Sequence, residues 1–249
     1  MTAVRYAGPL REGGSLPGLV EADDDGLYVV KFRAAGQGAK ALVAEIIVGE
    51  LGRALDLPVP EIVLVDVPAP LGRTEPDPEI NELVTASAGI NVGLDFLPGA
   101  LDLNAARLDL VDPQLAAAIV WFDALATNVD RTPRNPNLLI WHRRPWLIDH
   151  GAALYQHHRD EDLPARAGDP FPLIRDHVLL PRAADLQAAD ARLAPRLDPQ
   201  RIAEIVTLVP DTLLGEDPGR DRERYVEYFE RRLRAPRPFL ASAEAARAG

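Results

Sequence analysis

The stretch NVDRTPRNPNLLIWHRRPWLIDHGAALY, residues 128–155, constrains this chain more than any other. Two strand-like runs, LLIW and WLID, flank HRRP and must fold back on one another as a hairpin. With the turn centred on His142 to Arg144, antiparallel pairing puts Asp149 roughly opposite Leu138, beside Asn137 and near Asn135. The chain has six Asn, and three of them, at 128, 135 and 137, fall here. Asp130 and Asn135 stand beside Pro133 and Pro136, so local side-chain turns are one use for them. A metal is the other.

A carboxylate and an amide oxygen at the mouth of a hairpin are hard ligands without a full cage, which suits Mg²⁺ shared between protein and substrate phosphates. Asp130, one loop away, is placed to accept a hydroxyl proton while the metal neutralises charge on a transferring phosphoryl group. Asp130 with Asn135 reproduces the Asp-x-x-x-x-Asn spacing of kinase catalytic loops, and Asp149-His150-Gly151 falls where those enzymes carry a metal-binding Asp before Gly.

Lysine usage adds an independent constraint. Of 27 basic residues only Lys31 and Lys40 are Lys. An ammonium is a compact point charge suited to one phosphate oxygen, whereas Arg presents a planar fork. Lys31 ends the strand pattern GLYVVKF and points opposite to Val30 and Phe32. The next helix presents Glu45 among Ala41, Val48, Gly49 and Gly52, a face of small residues that lets another element come close. A strand Lys held by a helix Glu is the device by which kinases aim an ammonium at the α- and β-phosphates. Glu50 competes as partner but falls within the apolar arc. Lys40 reads as an exposed residue at the helix start. Gly13, Gly14 and Ser15 could lend backbone amides to phosphate.

A net charge of −11 argues against a nucleic-acid partner, because phosphate backbones are bound by clustered cations. The absence of Cys removes thiolate nucleophiles and Cys-based zinc sites. There is neither a membrane-length apolar run nor a signal-peptide layout, so the expected location is the cytoplasm. No GxSxG elbow or HExxH helix is present, and HHRDED at 157–162 reads as a solvated loop.

The chain order predicts an α+β fold. Two strands surround DDDG, a largely buried helix covers 40–55, EIVLVDV at 61–67 is a strand, and ELVTAS a further short one. Residues 1–90 form an N-terminal lobe, 91–101 a connector, and 102–249 a larger, mainly helical lobe interrupted by the catalytic hairpin. Asp112-Pro113 caps a helix running to Thr127. Tyr225, Phe229 and Leu233 mark the core face of a late helix, and ASAEAARAG reads as a frayed end.

The succession GGSLP, YVVKF, VAEIIVGELGRALDLPVP, NVDRTPRNPNLLIW and WLIDHGAAL, over about residues 10 to 155, resembles the HipA-like kinase family, particularly its short actinobacterial-type members. The resemblance implies a two-lobed, protein-kinase-like fold binding ATP and Mg²⁺, with Asp130 as catalytic base, Asn135 and Asp149 as metal ligands, and Lys31 on the phosphates. Adenine contacts would fall, by position, near Asp95, Phe96 and Leu97. Thr132 stands where the family loop usually has His, and the chain is too short for the N-terminal domain of the longer toxin-type members. Toxin activity, an antitoxin partner and a tRNA-synthetase substrate are therefore not carried over. The expected activity is phosphoryl transfer from ATP to a hydroxyl, with Ser or Thr of a protein as the preferred acceptor. A small-molecule or lipid hydroxyl is the alternative, and a nucleotide-binding pseudokinase is the reading from another class.

Overall fold

In the computed structural model, residues 1–10 and 16–248 are described. Strands β1 (Ala3–Pro9), β2 (Gly18–Ala22) and β3 (Leu27–Lys31) form an antiparallel meander, with the DDDG turn between the second and third. Helix α1 (Ala39–Ala54) follows, then β4 (Ile62–Val67), helix α2 (Pro78–Ala86) and β5 (Gly89–Asp95). The five strands make one sheet in the order β1-β2-β3-β5-β4.

Two expectations are corrected here. ELVTAS is not a strand: it lies in α2, where Pro78 occupies the first turn and the Asp77 side chain accepts from Glu79 N at 3.0 Å. That cap, with Ile80 and Val84 buried four residues apart, outweighs the strand preference of Val and Thr. Nor is residue 91 the start of a connector. Gly89–Asp95 is inserted between β3 and β4, with Lys31 opposite Val92 and Leu64 opposite the same residue on the other side. A strand paired on both edges and covered by a helix has no polar face, so it shows no alternation.

The second half is built around α3 (Pro113–Leu125), capped by Asp112, which accepts from the amides of Gln114 and Leu115 at 2.9 and 3.1 Å. Every residue from Ala116 to Leu125 is buried. A three-stranded sheet, β6 (Leu101–Asp102), β7 (Leu138–Trp141) and β8 (Arg144–Leu147), lies beside it. The hairpin turn is His142-Arg143, both in the left-handed region at φ 48° and 62°, a two-residue turn whose twist matches the strands. Leu138 therefore faces Leu147 rather than Asp149. Asp149 lies two residues beyond that pair, and Ile148 N–H donates to Asn137 O at 3.1 Å.

After α4 (Tyr155–His158) come short 3₁₀ turns at Leu163–Arg166, Pro172–Asp176 and Leu180–Arg182, then α5 (Leu186–Leu193), α6 (Pro199–Val206), α7 (Pro218–Leu233) and α8 (Pro238–Ala248). Tyr225 and Phe229 are buried as expected. The expected frayed end is instead α8, which buries Phe239, Leu240 and Ala243. Its Phe239 ring meets Trp121 of α3 edge to face at 5.8 Å between centroids. Among the described residues no helix is long and apolar enough to cross a membrane.

Candidate active site

Lys31 leaves β3 on the side facing α1 and the C-terminal half. Its Nζ donates to Glu45 Oε2 at 2.5 Å and to Asp149 Oδ1 at 2.6 Å, so one ammonium joins β3, α1 and the end of the hairpin. Burial alone would push Lys31 down, but the carboxylates of Glu45 and Asp149 outweigh it and hold the ammonium above its ordinary range. Burial likewise opposes the charge on Glu45. Lys31, followed by His150, overrides it and holds the carboxyl near 2.

The 149–151 turn packs against the small residues around Glu45. His150 N–H donates to Glu45 Oε2 at 2.8 Å, and its ring Nδ1 stands 3.4 Å from Oε1. A Cβ on Gly49 would lie 3.7 Å from His150 Nδ1 and 2.2 Å from Ile62 Cδ1. A Cβ on Gly151 would lie 3.5 Å from Ala41. The contacts to His150 and Ala41 are ordinary packing distances, so the close approach that demands glycine is that of Ile62 to Gly49.

Asp130 sits on the other side of the hairpin mouth. Its Oδ2 accepts from Asn135 Nδ2 at 2.8 Å and from Asn137 Nδ2 at 3.1 Å. The loop is closed by Thr132, whose amide donates to Asn135 O at 3.0 Å while Asn135 N–H returns a bond to Thr132 O at 3.1 Å. The Thr132 side chain, the departure from the family pattern, adds its Oγ1 as a further acceptor for Asn135 N–H at 3.3 Å. With both amide nitrogens on Asp130, the amide oxygens of Asn135 and Asn137 and Oδ2 of Asp149 have no hydrogen-bond partner among the described residues. These are hard oxygen donors and fit a Mg²⁺. Among the described residues no group of three or more His, Cys, Asp or Glu could complete a cage. Such an ion would need phosphate or water for its remaining ligands.

Sequence reasoning missed the groups that hold this loop. Asp123, fully buried on α3, accepts from Arg131 Nε at 2.6 Å, from Asn128 Nδ2 at 3.0 Å and contacts His177 Nε2 at 2.9 Å. Arg131 also donates to Asn137 O and to Ile148 O at 3.4 Å, and its own carbonyl accepts from Val178 N at 3.0 Å. One guanidinium therefore ties the loop after Asp130 to both strands of the hairpin. Burial opposes the charge on Asp123, yet Arg131 and then His177 hold its carboxyl well below the usual range. The signal was present: a lone carboxylate inside AAAIVWFDAL needs a cation.

The other candidates divide. Gly13, Gly14 and Ser15 lie outside the described residues. Asp95 ends β5, Phe96 N–H is committed to Leu27 O at 3.0 Å, and Leu97 is buried with its carbonyl taken by Ala100 N. Lys40 is not simply exposed: it donates to His157 O at 3.1 Å and pairs with Asp160. HHRDED is not wholly a solvated loop either, since His157 Nδ1 lies 2.6 Å from Tyr225 Oη.

The family model for HipA-like kinases matches residues 4–165. The chain belongs to the HipA-like kinase family. The match spans β1 to the 3₁₀ turn after α4, and so includes Lys31, Glu45, Asp130, Asn135 and Asp149. The crystal structure of a Helicobacter pylori proinflammatory kinase, CtkA, aligns with a TM-score of 0.60 over 100% of this chain and 98% of that one, at 15% identity. At that identity the likeness speaks for the fold alone, a kinase-like arrangement of an N-terminal antiparallel sheet and a mainly helical C-terminal part. No curated protein sequence matches the chain.

Proposed function

We propose that this HipA-like kinase is ATP- and Mg²⁺-dependent and transfers the γ-phosphoryl group to a hydroxyl, with Ser or Thr of a protein as the preferred acceptor. The observation that carries the reading is the Lys31 ammonium, which pairs with Glu45 and Asp149 at 2.5 and 2.6 Å. A cation aimed at the Asp149 carboxylate at the hairpin mouth, with a second carboxylate, Asp130, bonded to the Asn side chains that enter the same hairpin, supports phosphate and hydroxyl chemistry together. In this reading the ATP-binding lobe runs from the N-terminus through Asp95 at the end of β5, the connector begins with Phe96, and the helical lobe follows Leu101. A cytoplasmic location belongs to the same proposal.

Asp130 would orient the acceptor hydroxyl and take its proton on Oδ1, since Oδ2 is occupied by the two Asn side chains. Lys31, aimed by Glu45, would offset charge on the phosphates, and a backbone approach from Gly13, Gly14 and Ser15 would cover them. Asp149 and Asn135 are the proposed metal ligands, and the ion would supply charge neutralisation at the transferring group. Asn137, two residues on and just before β7, carries a second amide oxygen, but Asn135 is the preferred ligand.

The test is labelled ATP with Mg²⁺ on purified protein beside Asp130→Asn and Asp149→Ala. Losing the base should lower the rate about 10²- to 10⁴-fold. Wild-type protein that binds ATP but turns it over no faster than Asp130→Asn would place it among nucleotide-binding pseudokinases instead.

A further inference from the structure

Beside the Asp130 loop a groove of about 430 Å³ opens, lined by Pro133, by Arg175 to Val178, by Leu180 and Pro181, and by Ala246 and Arg247 of α8. Its wall is fixed to the loop rather than merely near it. Val178 N–H donates to Arg131 O at 3.0 Å, and His177 meets the same Asp123 carboxylate that holds Arg131. A chain lying in this groove would therefore be held in register with Asp130, one residue before Arg131.

The charge of the groove runs against that of the molecule. The protein carries 38 acidic and 27 basic residues, yet the groove's charged rim is Arg175, Arg247 and a single acid, Asp176. Arg175 is 70% exposed, and its contact with Asp176 is long, at 3.8 Å. Arg247 keeps an exposed guanidinium while donating to Ala184 O at 2.8 Å, which holds the end of α8 on the rim. Arg134, exposed on the loop next to Pro133, has no ion-pair partner among the described residues. The floor between these cations, Val178, Leu180, Pro181 and Ala246, is apolar and suits a peptide backbone.

We propose that this groove is the acceptor-binding site, and that it selects a protein segment whose hydroxyl residue is flanked by Asp or Glu. The inference rests on the kinase reading, because it takes Asp130 as the point at which the acceptor is presented. Arg175 is the main specificity determinant, and Asp176 partly masks it. Cations at the rim of a mostly acidic protein repel basic segments at the groove and attract acidic ones, which the remainder of the surface repels.

Binding is measured by fluorescence anisotropy at low salt on the full chain. The probes are a labelled short peptide with one Ser between Asp and Glu residues, the same peptide with Lys in their place, and a single-stranded RNA oligonucleotide matching the acidic peptide in charge. The acidic peptide should bind and the Lys peptide should not. Arg175→Glu should weaken the acidic peptide about ten-fold or more, and Asp176→Asn should strengthen it. Equal binding of both peptides, or indifference to Arg175→Glu, overturns the proposal. Tighter RNA binding that is lost in Arg175→Glu also overturns it, by assigning the groove to nucleic acid. No phosphoryl transfer enters this readout. Protein that binds the acidic peptide through Arg175 but is inert toward ATP supports the groove and defeats the kinase reading. Asp130-dependent ATP turnover with no regard for peptide charge does the reverse.

Discussion

Asp123→Asn should destabilise this protein more than any exposed charge change. Asn keeps the shape of the side chain but removes the charge that Arg131 and His177 share, at 2.6 and 2.9 Å. Arg131 is then a guanidinium of 0% side-chain exposure with only carbonyls around it. Removing one partner of a buried ion pair costs about 3–5 kcal/mol, because the other charge remains buried. For a chain of this size about 1 kcal/mol moves Tm by roughly 2–4 °C, so the melting temperature should fall by about 6 °C at the least. Asp56→Ala is the control. Asp56 also pairs with an Arg, Arg196, but its side chain is 82% exposed, and such a pair contributes about 0–1 kcal/mol. The wild type should also lose the contribution of Asp123 in acid. Its folded carboxyl lies below the unfolded value, so the stabilisation is complete above about pH 4 and disappears as pH falls through the folded value. Asp123→Asn should flatten that acid limb. Thermal unfolding of the three proteins at neutral and acid pH decides it. If Asp123→Asn melts within about 2 °C of wild type, as the exposed control should, the buried network does not hold the loop.

Glu45→Gln should lower the ATP-dependent rate about 10- to 150-fold, the kinetic equivalent of one hydrogen bond to a charged group at about 1.5–3 kcal/mol, read from initial rates at saturating ATP. His157 is held down to about 3, chiefly by burial and then by His158 and Lys40, so it stays neutral in the fold while the unfolded chain protonates near 6.5. Its contribution is therefore lost as pH falls below about 6.5. His157→Gln should remove up to about 2 kcal/mol of destabilisation at pH 5 relative to pH 7, measured by urea unfolding at both. Gly49→Leu should cost about 1–3 kcal/mol by forcing bulk between α1, Ile62 and His150, and should lower the rate with it by displacing the 149–151 turn.

The fold class and the Lys31–Glu45 pairing were legible in the sequence, whereas several element boundaries were not. Lys31 and Glu45 could be paired because Lys is scarce and because the residues beside Glu45 are small, a pattern with a physical use. The hairpin of residues 138–149 was legible from its two apolar runs, but not its register, which a two-residue turn with both residues at positive φ shifted by two positions. β5 was illegible because a strand buried on both faces carries no alternation, and α2 because its cap, Asp77-Pro78, lay outside the run taken for a strand. The Asp123 network needed long-range contacts. Asp123 and His177 are 54 residues apart, and nothing local marks either as the other's partner.

Helix α1, which carries Glu45 to Lys31, is tied down at both ends. Its start is tied down by Lys40, which donates to His157 O at 3.1 Å and pairs with Asp160. Its end is held by Arg196, which donates to the carbonyls of Ala54 and Leu55, each at 3.1 Å, and to Asp56 at 2.5 Å. These carbonyls are the ones a helix leaves unsatisfied at its C-terminus, where a cation is also favoured by the helix dipole. Glu45 lies between the two ties. It cannot swing away from Lys31 unless at least one of them breaks, and outward movement would also abandon the His150 amide at 2.8 Å.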